Sequence, residues 1–197
     1  MGGAVLGLSA KKLNLFSTEL RYLGNVLCRD GVKVDPTKIS AIQSIDGRSI
    51  NNITAVRSFL GMANYWRRFI KGFAEISAPI TALTRAGADV AQESQAPAVQ
   101  TAITALKESL CSAPILMLPR HDRQFILKTD ASTSAIGAVL AQEADDGAER
   151  VVAYYGRRLT PSEQNWTITE LELLAVLAST KHFRPYLWGR TFMFQFS

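Results

Sequence analysis

The sequence predicts an α+β protein: a short hairpin, a helical region, then a three-strand antiparallel meander, a long helix and a fourth strand. Three observations predict it. Apolar residues between Ile53 and Ile70 recur at three- and four-residue steps, the period of an amphipathic helix. Three strand-like runs between Gln124 and Gly156 follow one another with short connections, the pattern of a meander. A second helical stretch, Pro161 to Lys181, precedes a final β-prone run, Thr191 to Phe196.

Composition sets the outer bounds. Of 197 residues, 47% are hydrophobic and 20% charged, enough to bury a core and unlike a disordered chain. No run approaches 18 consecutive apolar residues, so no spanning helix and no membrane partner are expected. The first ten residues have no basic stretch ahead of their apolar run, so a signal peptide is not expected and the compartment should be intracellular. Cys28 and Cys111 cannot build a disulfide framework, and no Cys/His spacing suits zinc. The formal charge is +5 and unevenly placed: residues 1–90 carry a net +6 and residues 91–197 a net −1. A basic half with interleaved aromatics suits a phosphate backbone, because each cation near a phosphate releases a counterion. A mildly basic domain with no polyanion partner is the plainer alternative.

The elements follow in order. Residues 19–34 read as a hairpin, two β-prone runs around Arg29-Asp30-Gly31, whose Asp-Gly supplies the positive φ of a tight turn. Asp35-Pro36 opens a short helix through Ile39 and Ile42, and residues 46–52 read as a loop. Asn51 or Asn52 can cap the helix that runs from Ile53 to Ile70, with Val56, Phe59, Leu60, Ala63 and Ile70 on one side. Arg57, Arg67, Arg68 and Lys71 give it a cationic flank beside Tyr65 and Trp66, which either pack in the core or stack on bases. Pro79 marks a break before a short turn, Ile80 to Leu83. Residues 85–96 lack pattern and read as a loop, the best boundary that composition offers. Val99, Ile103, Leu106 and Leu110 form a helical stripe that Ser112-Ala-Pro114 ends.

The chemistry centres on two carboxylates. Asp130 ends an apolar strand, where a charge is costly without partners. Glu172 sits in the long helix, within Thr-Glu-Leu-Glu-Leu-Leu-Ala-Val. If that helix packs on the meander, the two acids can approach, and close carboxylates need a shared proton or a divalent ion. Their hard oxygens suit Mg²⁺ or Mn²⁺, and two such ions could activate water against a phosphodiester. Asp130 capping a turn and Glu172 on a solvated helix face explain the spacing as well. His121 and His182 have no partners at ligand spacing, and no phosphate loop or nucleophile elbow is present.

Taken together, these stretches resemble a known family. Tyr22-Leu-Gly-Asn-Val-Leu-Cys-Arg-Asp-Gly-Val-Lys-Val-Asp-Pro36 resembles the segment after the palm of gypsy-type LTR retrotransposon reverse transcriptases. Val56-Arg-Ser-Phe-Leu-Gly-Met-Ala-Asn-Tyr-Trp-Arg-Arg-Phe-Ile70 resembles the helix that follows it. Phe125-Ile-Leu-Lys-Thr-Asp-Ala-Ser132, Ile136-Gly-Ala-Val-Leu-Ala-Gln142, Glu172-Leu-Leu-Ala-Val176 and Lys181-His-Phe-Arg-Pro-Tyr-Leu-Trp-Gly189 resemble the ribonuclease H-like domain. The resemblance is collinear from about residue 11 to the end. It implies a primer-grip-like hairpin over residues 1–35, a helical thumb or connection region over 36–115, and a truncated ribonuclease H-like domain over 116–197.

The resemblance also implies roles. Asp130 and Glu172 match the family's first two nuclease carboxylates and would be catalytic and metal-binding, with Mg²⁺ or Mn²⁺ expected in the complete domain. Tyr22, Gly24 and Asn25 match the primer grip, and Arg57, Tyr65, Trp66, Arg67, Arg68 and Lys71 would face a template–primer duplex or RNA–DNA hybrid. The rest of a Pol polyprotein is the implied protein partner. The family's polymerase Asp-Asp pair has no counterpart here, and Ser197 stands where register from Gly189 places the third nuclease carboxylate. The expectation is a reverse transcriptase and ribonuclease H segment, weak or inactive as this chain. The alternative is a non-catalytic nucleic-acid-binding remnant of a retroelement.

Overall fold

The computed structural model of the chain describes residues 17–196. The architecture is α+β, with two sheets and eight α-helices among the described residues. The positions at 1–16 and Ser197 lie outside the described residues, so the expectation for Ser197 has no structural counterpart.

The amino-terminal sheet is antiparallel, in the order β1 (Glu19–Tyr22), β2 (Asn25–Cys28) and β3 (Gly31–Val34). The sequence suggests two arms; the structure has three. Leu23 and Gly24 both take left-handed backbone, φ 47° and 71°, and this two-residue turn splits the first arm. Gly24 permits such a turn cheaply, but Leu23 ahead of it gave no sign of one. The second turn falls where Asp30-Gly31 places it.

A helical layer follows. α1 (Pro36–Gln43) starts with Asp35 accepting from the Thr37 N–H at 2.9 Å and the Thr37 hydroxyl at 2.8 Å, with Pro36 in the first turn. Residues 46–52 hold a 3₁₀ turn, Gly47–Ser49, within the expected loop. α2 (Ile53–Tyr65) is capped by Asn52, which accepts from the Ala55 N–H at 2.9 Å, and it buries Val56, Phe59 and Ala63. It does not reach Ile70. Trp66 leaves helical geometry and a 3₁₀ turn, Arg67–Phe69, takes over, with Trp66, Phe69 and Ile70 all in the core.

Two short helices, α3 (Phe73–Ile76) and α4 (Ala78–Ala82), come next. The expected loop at 85–96 contains one more turn, α5 (Val90–Glu93), capped by Asp89 and closed by Arg85 on Glu93 at 2.8 Å. α6 (Pro97–Cys111) presents Val99, Ala102, Ile103, Leu106 and Leu110 to a core shared with β3, α2 and Leu116.

The second sheet has the order β6-β5-β4-β7, from β4 (Phe125–Ala131), β5 (Ala135–Glu143), β6 (Glu149–Arg158) and β7 (Phe192–Phe196). The meander is antiparallel as expected. β7 returns parallel to β4, with Phe192 opposite Phe125 and Phe196 opposite Thr129. Between β6 and β7 lie α7 (Ile168–His182) and α8 (Arg184–Leu187). α7 begins at Ile168 rather than Pro161, because a capping box fixes its start: Thr167 accepts from the Glu170 N–H while Glu170 accepts from the Thr167 N–H at 2.7 Å. Ahead of it, Glu163 in a 3₁₀ turn (Glu163–Asn165) takes two bonds from Arg157, at 2.8 and 2.9 Å, and one from the Thr160 N–H at 2.8 Å. These donors lower the Glu163 carboxyl from 4.5 to about 2, the Arg157 bonds contributing most. Gln142, fully buried, is satisfied by the Arg120 N–H and by the carbonyls of Arg120 and Arg123, which ties the loop before β4 to the sheet.

The two sheets are joined through backbone. Leu116 exchanges hydrogen bonds with Val32, at 2.7 and 2.8 Å, and the Met117 N–H donates to the Val151 carbonyl at 2.7 Å. α3 and the Arg67–Phe69 turn lie against β6, where a Cβ on Gly156 would meet Ala74 at an ordinary 3.8 Å.

Two outcomes test this account. Gly31 has φ 141° and a side chain there would lie 2.1 Å from the Leu116 carbonyl oxygen. Gly31→Ala should therefore cost about 3 kcal/mol or more in urea unfolding, through strain and overpacking together. The second concerns Glu163. A carboxyl whose pKa falls on folding stabilises the fold above its unfolded value of 4.5, and that contribution vanishes as pH falls to about 2. Glu163→Gln should lower Tm by roughly 3 °C at neutral pH. The gap to the parent should close across that acid window in a series of thermal melts; a gap independent of pH would mean that the charge contributes nothing.

Candidate functional site

Asp130 is the penultimate residue of β4, opposite Gly137 on β5, and its side chain is exposed. Glu172 is also exposed, in the second turn of α7. α7 packs on β4 and β5 through Leu171 and Ala175, which share a buried cluster with Ile136 and Leu159, with Ala131 against it. Leu171 therefore lies over the carboxy-terminal end of β4, and the neighbouring Glu172 is carried to the strand end that bears Asp130. Strand alternation, however, turns Ala131 toward α7 and Asp130 to the opposite face. The two acids reach one end of the strand from the two sides of the sheet. Neither makes a hydrogen bond or ion pair with another described side chain.

On its own side Asp130 opens into a cavity of about 200 Å³ between the sheet and the helical layer, lined also by Lys71, Glu75, Lys128, Ser132 and Tyr154. Gly137 and Gly156 also line it and put no side chain into it. Among the described residues no three His, Cys, Asp or Glu side chains are gathered to hold a metal ion. Asp130 and Glu172 thus have the donor chemistry for Mg²⁺ or Mn²⁺ and are too few to enclose it unaided.

The proposed nucleic-acid residues divide into separate groups. Tyr22 and Asn25 flank the β1–β2 turn and Gly24 lies within it, and that turn is seated on the end of α2. Tyr65 donates its hydroxyl to the Leu23 carbonyl, and a Cβ on Gly24 would lie 3.4 Å from the Trp66 ring. Tyr65 and Trp66 meet edge to face at 5.0 Å. Tyr22 is 61% and Tyr65 50% exposed, whereas Trp66 is buried and packs in the core, so only the first two present surface to a ligand. Asn25 Oδ1 and Trp66 Nε1 are both buried there without a hydrogen-bond partner.

The cations do not form one flank. Arg57 lines a groove with Asn52, Arg85 and Asp89 near the start of α2. Arg67 lies near His182, whose pKa is lowered by burial and further by that guanidinium. Arg68 rests over the Phe69 ring at 5.1 Å, and Lys71 faces the Asp130 cavity. The helix-to-3₁₀ change after Tyr65 breaks the regular spacing that would have aligned them.

Some participants were not singled out from sequence. Glu75 accepts from the Ser132 hydroxyl at 2.8 Å, 57 residues away along the chain, and nothing in its short helix marks it. Arg184 stacks over Trp188 at 4.1 Å, with Trp188 71% exposed; their four-residue spacing was the available sign.

Comparison with known proteins fits this arrangement. The model of an RNase H-like domain found in reverse transcriptase matches residues 96–194. The Pol polyprotein from transposon opus of Drosophila melanogaster is 38% identical over 194 residues, covering 94% of this chain and 19% of that protein. The Pol polyprotein from transposon gypsy of the same species is 34% identical over 195 residues, covering 94% of this chain and 18% of its own length. The chain spans about a fifth of the length of these curated relatives. A foamy viral protease-reverse transcriptase in complex with double-stranded DNA superposes with TM-score 0.78 at 20% identity, over 90% of this chain and 30% of that one. The foamy viral enzyme in complex with RNA/DNA hybrid gives 0.76 at 20% identity, over 94% and 25%. The second sheet, its crossing helix and the helix before them are therefore those of a known domain type, and the chain belongs to the family of RNase H-like domains found in reverse transcriptase, with retrotransposon Pol polyproteins as its relatives.

Proposed function

We propose that the chain works as part of a retroelement reverse transcriptase and ribonuclease H, acting on RNA–DNA hybrid and template–primer duplex. The observation that carries this reading is the seating of Leu171 over the end of β4, which brings Glu172 to the strand end that holds Asp130. In the complete domain these two carboxylates would hold Mg²⁺ or Mn²⁺ together with further ligands. A divalent ion held there supplies the charge that activates water and stabilises the leaving oxygen of the RNA strand. The chain's own residues hold the duplex: Tyr22 and Tyr65 offer exposed rings at the β1–β2 turn, and Arg57, Arg67, Arg68 and Lys71 pair phosphates. Gly24 and Asn25 shape that turn, and Trp66 supports it from below.

A second reading, a nucleic-acid-binding remnant without catalysis, is favoured by the lack of a three-acid group among the described residues. The two readings share the binding step and part at cleavage.

Cleavage of a labelled RNA–DNA hybrid by a longer Pol segment, with Mg²⁺ present, separates them. Asp130→Asn and Glu172→Gln should each slow cleavage by at least about 100-fold, since loss of outer-shell support alone costs 10- to 100-fold. Unchanged rates would remove both residues from the site. The 197-residue chain by itself should bind the hybrid and cut it weakly or not at all. If all four cations engage phosphates, its affinity should fall about 100-fold between roughly 50 and 200 mM salt. Salt-insensitive binding would refute the phosphate contacts.

A further inference from the structure

Asp130 is followed by a tight connection, Ser132 to Ser134, that leads into β5. Ser132 organises it: the Ser132 N–H donates to the Ala135 carbonyl at 2.8 Å, and the Ala135 N–H donates back to the Ser132 oxygen at 3.1 Å. A serine hydroxyl has one hydrogen to give. Its shortest acceptor is Glu75 Oε1, at 2.8 Å, while the Ala135 carbonyl lies at 3.1 Å and Ser134 Oγ at 3.3 Å. Ser134 Oγ also reaches the same Glu75 oxygen, at 3.4 Å. A charged acceptor outcompetes neutral ones at similar distance, so the hydroxyl points to Glu75.

Glu75 belongs to α3, in the helical layer, and α3 is held against β6 beside the same cavity into which Asp130 opens. Glu75 is thus a bond between the helical layer and the turn two residues beyond Asp130. We propose that Glu75 is a positioning residue, which fixes the Ser132–Ser134 turn and through it the orientation of the Asp130 carboxylate toward a divalent cation. This rests on the reading of Asp130 as a metal ligand. It makes the nuclease carboxylate depend on the docking of the helical layer, so that layer would set the nuclease site as well as hold duplex.

The test uses the longer Pol segment of the cleavage assay, nuclear magnetic resonance and Mn²⁺ as the probe. Glu75→Ala removes the acceptor, Ser132→Ala removes the donor, and Glu75→Gln keeps a neutral acceptor. Glu75→Ala and Glu75→Gln carry the same charge, so a difference between them reports the hydrogen bond. In Glu75→Ala, amide exchange at Ser134 and Ala135 should quicken by about 10-fold, the scale of one lost hydrogen bond. Mn²⁺ broadening of the Ala131 and Gly137 amides should then need several-fold more metal. Ser132→Ala should reproduce the loosened metal response, and Glu75→Gln should recover most of both effects. Thermal melts confirm that each variant is folded.

Unchanged exchange in Glu75→Ala overturns the proposal. So does quickened exchange with an unchanged Mn²⁺ response, which would leave Glu75 as a plain structural contact. If Mn²⁺ produces no broadening in the parent segment, or if broadening survives Asp130→Asn, the metal role of Asp130 itself fails, and the positioning role falls with it.

Discussion

The reciprocal backbone bonding of Leu116 and Val32 is the constraint on which the rest of this molecule depends. Leu116 is almost fully buried, so its two short hydrogen bonds are shielded from water and costly to break. One residue later, Met117 bonds Val151 on β6, and the chain is stitched to both sheets within two residues. This fixes the amino-terminal sheet against the helical core and the helical core against β6. Gly31 stands at the tightest point, where any side chain would collide with the Leu116 carbonyl.

From that seam the candidate surfaces follow. With β3 fixed, the β1–β2 turn comes to rest on Tyr65 and Trp66, which leaves Tyr22 and Tyr65 exposed beside each other's elements. With β6 fixed, α3 closes over the glycine-lined floor beside Asp130 and places Glu75 within reach of Ser132. The opposite face of the second sheet is organised separately. There the Arg157–Glu163 pair and the Thr167–Glu170 capping box set where α7 begins, and hence where Glu172 lies along it. Asp130 and Glu172 thus lie beside different supports, the helical layer for one and the turn before α7 for the other.

The periodic elements were legible from the residues. The stripe Val99, Ile103, Leu106, Leu110 and the alternation in β4 to β6 came out as helix and strands, because each places one apolar face against one core. Where periodicity misled, tertiary burial had changed the local geometry. The helix expected to reach Ile70 stops at Tyr65, where Trp66 leaves helical geometry and its N–H bonds the Ala63 carbonyl, and a 3₁₀ turn follows with Trp66, Phe69 and Ile70 in the core. The long helix starts at Ile168 rather than Pro161, since Glu163 is drawn to Arg157 instead of continuing a helical turn. The first hairpin gained a strand because Leu23 accepts a left-handed backbone when Tyr65 holds its carbonyl.

The sequence by itself determined the α+β class, the meander and the family, because these are written in local spacing and in collinear motifs. Only the tertiary structure decided that the four cations spread over distinct surfaces, that Trp66 is a support beneath the turn, and that Asp130 and Glu172 arrive from opposite faces of one sheet. The bond from Glu75 to Ser132 belongs to the same group. Such facts depend on contacts between residues far apart in the chain, and no local period encodes where a docked layer will come to rest.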